Sequence, residues 1–382
     1  MTQAPSPDQP SDQVRPDAGS QARSEARPVR LRPALDGVPT YRPGKPPTPV
    51  EGVTHFKLSS NENPYPPLPS VLDAIADAAS HVHRYPDPGV HGLRERIAAE
   101  LGVGPDEIVV GPGSAAVYDQ IVQALVDDGD EVVYSWRSFE LYPICVAARG
   151  GRSVQVPNTA EGRHDLPAMA RSIRRDTRLV IVCSPNNPTG TRYAEDTLRE
   201  ICANVDGLVL LDEAYREFCD QDLVPLLDQY DNIVLFRTFS KALAMAGLRV
   251  GYCITRPDLA REIGKVKLPY ALNIVSEAVT LAALDRPDLF APTIEMARRE
   301  RRRMSDALAA MPGVHVYPSA ANFVLARFDA GAANVFDRLL AHSILVRDVS
   351  HYPGLANHLR ISIGTPAEND ALLAALRDTH GS

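Results

Sequence analysis

The stretch FRTFSKALAMAGLRV, residues 236–250, sets Lys241 directly after Ser240 and ahead of a small-residue run that ends near Arg249. An amine beside a hydroxyl and a guanidinium can be a nucleophile next to anion-binding groups. A single lysine is ordinarily a solvated surface charge, so its meaning depends on its company. Three other places supply that company. After EIVV comes GPGSAAVYDQIVQAL, a glycine turn opening a helix, where the free N–H groups of the helix start suit a phosphate, with Ser114 as an added donor. After RLVIVC stands SPNNPTG, which holds Asn187 in a proline-stiffened loop. After GLVLL stands DEAY, so Asp212 ends a buried apolar run, where a carboxylate is costly without a cationic or hydrogen-bonding partner. Tyr215 follows on the same turn.

All of these residues sit just beyond a short β-branched run. EIVV, EVVYS, RLVIVCS, GLVLLDEAY, NIVLFRTFS and RVGYCI alternate with helix-periodic stretches, the pattern of an α/β domain with a mostly parallel sheet covered by helices on both faces. In such sheets ligands lie at the carboxyl ends of the strands. Beyond residue 280 a long amphipathic helix through TIEMARRERRRMSDALAAM precedes the short strands VHVYP, NFVLARF, ILVRDV and HLRISIG, which read as a smaller α+β lobe. The arginine run at 298–303 is expected to be a solvated helix face. The chain divides accordingly into a Pro/Ser-rich tail (1–30), an arm that closes over substrate (31–69), a large domain (70–275) and a small domain (276–382).

Composition narrows the function classes. With 44% hydrophobic and 23% charged residues the chain has the proportions of a globular protein, and its net charge of -8 gives no footprint for nucleic acid or an anionic membrane. Five cysteines without a CxxC pair read as thiols in a reducing cytoplasm, neither a disulfide frame nor a zinc site. No apolar run reaches the ~18 residues of a spanning helix. The first 30 residues lack the apolar core of a signal peptide, carry too many acids for a transit peptide, and are expected to be disordered.

A phosphate cradle, a buried carboxylate, an amide, a phenol, an amine and an arginine together meet the needs of pyridoxal 5'-phosphate, which requires an amine for a Schiff base and an acid for its pyridine nitrogen. The motifs SPNNPTG, DEAY and SKALAMAGLRVG, with YRPGKPP, KLSSNENPYPP, HRYPDP and LRISIGTPAENDALLAAL, resemble the fold-type I aminotransferases, in the branch of histidinol-phosphate and aromatic amino acid aminotransferases. The resemblance covers nearly all of the chain beyond the tail. It implies that Lys241 carries the cofactor and moves the substrate proton, that Asp212 pairs with the ring nitrogen, and that Asn187 and Tyr215 bond its O3'. Ser240 and Arg249 would hold the phosphate with Gly113, Ser114 and Ala115, Phe139 would stack on the ring, and Tyr85 would reach the phosphate of a neighbouring subunit in a two-fold dimer.

Arg360 would clamp the substrate carboxylate, Arg347 resembles the second arginine of the branch, and Tyr41 and Asn61 match segments that close over substrate. The reaction implied is ping-pong, with 2-oxoglutarate as second substrate. SWRSFELYP and RTFSKALAMAGLRVGY are similar to actinobacterial-type aromatic amino acid aminotransferases, whereas LVRDVSHYPGLANHLRISIGTPAEND and KLPYALN look more like the histidinol-phosphate enzymes. The loop around Phe139 borders the side-chain pocket, which favours aromatic donors; an amino acid phosphate decarboxylase shares the lysine and remains a remoter alternative. A DNA-binding regulator would need a module that the tail does not supply. Deleting residues 1–30 is expected to leave turnover intact, and a large loss of kcat/KM would refute that.

Overall fold

The computed structural model describes residues 30–38, 40, 54–193, 195–205 and 207–377. Its strands are β1 (Phe56–Leu58), β2 (Ile108–Gly111), β3 (Glu131–Trp136), β4 (Arg152–Pro157), β5 (Thr177–Cys183), β6 (Leu208–Asp212), β7 (Ile233–Thr238), β8 (Gly251–Ile254), β9 (Val314–Val316), β10 (Phe323–Phe328), β11 (Ile344–Asp348) and β12 (His358–Ser362). A seven-stranded sheet has the order β2-β8-β7-β6-β5-β3-β4 and a five-stranded sheet the order β1-β11-β12-β10-β9.

The centre of the large sheet forms because its strands are apolar on both sides. In β6, Val209 and Leu211 enter one core cluster while Leu208 and Leu210 enter the other. The first cluster lies under the helices Pro69–Ala79, His91–Leu101 and Ile274–Leu284, the second under Ser114–Leu125, Leu141–Arg149 and Pro257–Lys265. Strands β3 to β7 pair in parallel, and only β8 runs against its neighbours β7 and β2. This is the α/β architecture expected, a mostly parallel mixed sheet between helical layers. Of the cysteines, Cys219 alone is not fully buried.

Four details depart from the expectations. Strand β4 is absent from the predicted runs because it is an edge strand in which only Val156 is buried, so it lacks the continuous apolar signal. Strand β1, in the segment expected to be an arm, adds in parallel to β11 of the small sheet, with Phe56 opposite Ile344. The helix Ile274–Leu284 straddles the boundary expected at 275/276, yet it sends Val279, Ala283 and Leu284 into the large sheet's first cluster; the packing changes only at the next long helix, Ala291–Ala309. On that helix the arginine run is no uniform solvated face. Arg298 bonds the Glu217 carbonyl, Arg301 bonds the Phe218 and Ala321 carbonyls, and Arg303 pairs with buried Glu300.

The fully buried Leu210 of the central strand provides a test of this packing. Leu210→Ala is expected to lower unfolding free energy by ~2–5 kcal/mol, read as a fall in the urea midpoint, because the removed atoms leave a cavity between a sheet and a helix that cannot both collapse into it.

Candidate active site

Strand polarity gathers the chemical residues at one edge. Strands β2, β3, β5, β6 and β7 end there; Asp212 is the last residue of β6, and Gly113, Phe139, Asn187 and Lys241 come from the loops that follow the other four. Because β8 is antiparallel, it begins at that edge, with Gly251 opposite both Gly111 of β2 and Thr238 of β7. Arg249, just before β8, therefore lies against the glycine turn. Its Nη1 is 3.4 Å from Ser240 Oγ, and a Cβ on Gly113 would lie 2.3 Å from its Nη2. Gly113 also has φ +88, a left-handed value that favours glycine, and a Cβ on Gly251 would lie 2.2 Å from the Ser114 nitrogen. The close approach of helix start, Ser240 and Arg249 makes an anion cradle.

The cavity at this edge is about 500 Å³. At its floor Asp212 is buried, with Oδ2 accepting from the Tyr142 hydroxyl at 2.5 Å and Oδ1 from the Ala214 N–H at 3.0 Å. Burial pushes its carboxyl up to about 6, although both hydrogen bonds favour the charged form. A carboxylate so placed would be returned to its ionised state by a cationic N–H from a ligand.

Lys241 Nζ donates to the Ser60 carbonyl at 3.2 Å and lies 6.0 Å from the Tyr215 ring centre. Burial, and next the positive charge of Arg360, lower its amine to about 8, while Glu62 opposes them. Tyr215, also buried, accepts from Asn61 Nδ2 at 3.0 Å, so its own proton is left to donate; burial pushes the phenol up to about 12. Asn187 Oδ1 accepts from Arg360 Nη1 at 2.7 Å, which leaves the NH2 end of that amide as a donor.

The small sheet brings in Arg347 and Arg360, directly opposite each other on β11 and β12. Both line the cavity, as do Phe139, Ser114, Ala115, Ser240, Arg249 and Asn61. Asn61 has a left-handed backbone (φ 55) and ties the lobes together: its N–H donates to Ser362 Oγ, and its carbonyl accepts from Asn322. Tyr85 is not at this cavity; it is 81% exposed and packs on Tyr270, ring centres 4.6 Å apart. Tyr41 lies outside the described residues.

Sequence reasoning missed Tyr142, Arg137, Glu140 and Tyr352, which also shape the site. The first three stand within or beside SWRSFELYP, so the segment was legible as a site loop. Which of its side chains would meet Asp212 was not, because that contact joins two elements far apart in the chain.

The lowered Lys241 amine yields a direct test. In cofactor-free protein, reductive methylation at Lys241, followed by peptide mapping, is expected to rise with pH to half its maximum at about 8, since only the neutral amine reacts. A midpoint at the ordinary lysine value of ~10.4 would contradict the burial of the amine.

Known proteins resemble this chain in sequence and fold. The family described as aminotransferase class I and II matches residues 53–376. An aromatic amino acid aminotransferase of Rhodococcus jostii is 42% identical over 92% of this chain and 96% of its own length, and one of Streptomyces coelicolor is 40% identical over 92% and 97%. Among solved structures, the histidinol-phosphate aminotransferase of Sinorhizobium meliloti, in complex with pyridoxal-5'-phosphate, superposes with a TM-score of 0.83 at 30% identity, covering 93% of this chain and 98% of that one. The chain thus belongs to the class I and II aminotransferases, a family dependent on pyridoxal 5'-phosphate.

Proposed function

We propose that this aminotransferase moves the amino group of an aromatic amino acid to 2-oxoglutarate, with pyridoxal 5'-phosphate held at the cavity described above. The observation that carries the reading is the convergence, in one cavity, of a desolvated lysine amine, a buried carboxylate and an arginine fork. The cofactor fits these residues. The cradle of Gly113, Ser114, Ala115, Ser240 and Arg249 suits its phosphate, and the missing Cβ at Gly113 is what lets the Arg249 guanidinium lie against the helix start. Asp212, whose hydrogen-bond donors Tyr142 and Ala214 are neutral, suits a protonated ring nitrogen. Tyr215 and Asn187 each retain a donor for the ring oxygen, and Phe139 supplies an aromatic wall.

When bound, the cofactor supplies an electron sink that lets a bond at the amino acid Cα break. The chain supplies the rest. Lys241 Nζ, drawn down to about 8, can be neutral enough near neutral pH to take the Cα proton and acidic enough to return it. Arg360 lines the cavity, held by its bonds to Asn187 Oδ1 and the Ser59 carbonyl, and its guanidinium fork would fix the amino acid's orientation by taking the planar carboxylate. Asn61 carries the Tyr215 hydroxyl and the small lobe on one residue, which supports a role in closing the site.

Aromatic donors are favoured by the relatives of about 40% identity that are named for them, and by the aromatic side chains of Phe139 and Tyr352 in the cavity lining. The second reading, histidinol phosphate, is favoured by Arg347 at the cavity and by the Sinorhizobium structure. The active unit proposed is a homodimer in which Tyr85 reaches the other subunit's cofactor phosphate; its exposure, packed on the also exposed Tyr270, supports a contact with a second copy. Among the described residues no helix is long and apolar enough to cross a membrane, and a cytoplasmic location is proposed with the rest.

Single-turnover rates decide the donor. Following the bound cofactor's absorbance, phenylalanine is expected to react at least tenfold faster than histidinol phosphate; the reverse order would overturn the aromatic reading.

A further inference from the structure

Four arginines line the cavity; Arg249 belongs to the anion cradle, and the other three stand in different company. Arg360 donates to neutral acceptors, Asn187 Oδ1 at 2.7 Å and the Ser59 carbonyl at 2.7 Å. Arg347 and Arg137 instead converge on one carboxylate: Glu140 Oε1 lies 3.5 Å from Arg347 Nη2 and 4.0 Å from Arg137 Nη2. Arg137 is clamped, its guanidinium carbon 3.8 Å from the Trp136 ring centre and 3.3 Å from that of Tyr352. It is buried, and its Nε has no hydrogen-bond partner among the described residues. Both faces of that guanidinium are covered, so it can offer only its edge to a ligand. Glu140 itself sits just ahead of the helix Leu141–Arg149, on the loop that carries Phe139, with its side chain 20% exposed.

Charge counting gives the corner a preference. Two guanidiniums and Glu140 leave one positive charge. An acceptor with one distal carboxylate brings the corner to zero, and an uncharged aromatic ring need not engage it. A phosphate monoester carries nearly two charges, and to reach Arg347 it must approach the carboxylate already there. Like charges at such range in a partly desolvated cavity repel far more than in water.

We infer that Glu140 is a specificity-determining residue, its carboxylate occupying Arg347 and Arg137 so that the distal subsite accepts a ring or a single carboxylate and rejects a phosphate. The inference deepens the function proposed above and rests on its assignment of the cavity to amino acid side chains.

The test uses the holoenzyme and two unreactive probes that share a carboxylate for Arg360, 3-phenylpropionate and 3-phosphonopropionate, with dissociation constants measured by calorimetry. Glu140→Gln is expected to shift the ratio of the two constants at least tenfold toward the phosphonate. Arg347→Gln, which leaves Glu140 facing the subsite with less compensation, is expected to shift it at least tenfold the other way. An unchanged ratio in Glu140→Gln overturns the inference; should that variant fail to fold, an unchanged ratio in Arg347→Gln does so. The probe ratio requires no turnover. A wild-type enzyme that prefers histidinol phosphate to phenylalanine sinks the aromatic reading and the rejection of phosphate with it, whereas an aromatic preference combined with an unchanged ratio in Glu140→Gln sinks the role of Glu140 alone.

Discussion

The burial of the Asp212 carboxylate at the end of β6 is the constraint around which the site is built. An ionised group in a core strand end costs several kcal/mol unless its surroundings compensate, and here the compensation comes from separate elements: the Tyr142 hydroxyl from a helix on one face and the Ala214 N–H from the loop beyond. Next to it, Glu213 pairs with Arg237 of β7 at 2.8 Å, both side chains buried, and the charge of Glu213 adds to the upward pressure on Asp212. Successive residues of one strand end thus point two carboxylates to opposite sides, one balanced by a permanent internal cation and the other left for a ligand's.

The sheet's polarity turns that arrangement into a cavity. Parallel strands finish together, so the residues after β2, β5, β6 and β7 meet without any being adjacent in sequence, and the antiparallel β8 brings Arg249 to the same edge. The small lobe then supplies what a cofactor domain cannot, a pair of arginines across β11 and β12. The link between lobes is both apolar and polar: Tyr215 and Phe218 pack with Ala321 and Phe323, Asn61 joins Ser362 and Asn322 to Tyr215, and Arg298 and Arg301 reach carbonyls in the loop after β6. Motion of one lobe against the other would therefore be felt at the Tyr215 hydroxyl.

The strongest sequence signals were those imposed by burial or by covalent chemistry. A carboxylate after an apolar run, as at Asp212, and a glycine turn before a helix, as at Gly113, can be read locally because the penalty that makes them meaningful is local. Strand β4 and strand β1 were not legible, one being an exposed edge and the other three residues long. The expected boundary at 275/276 cuts the helix Ile274–Leu284, because its apolar face carries no mark in the sequence of the cluster it will join.

The sequence by itself determined the α/β class, the membership of Lys241, Asp212, Asn187, Tyr215 and Arg249 in one cavity-forming set, and the family those motifs resemble. The class follows from periodicity, the set from residue types placed at strand ends, and the family from the resemblance of SPNNPTG, DEAY and SKALAMAGLRVG. Tertiary structure alone decided that Tyr142 serves Asp212, that Asn61 joins the lobes, and that Glu140 stands between Arg137 and Arg347. Those contacts depend on distances between elements far apart along the chain, and a charge or hydroxyl on a loop carries no local mark of the partner that folding will bring to it.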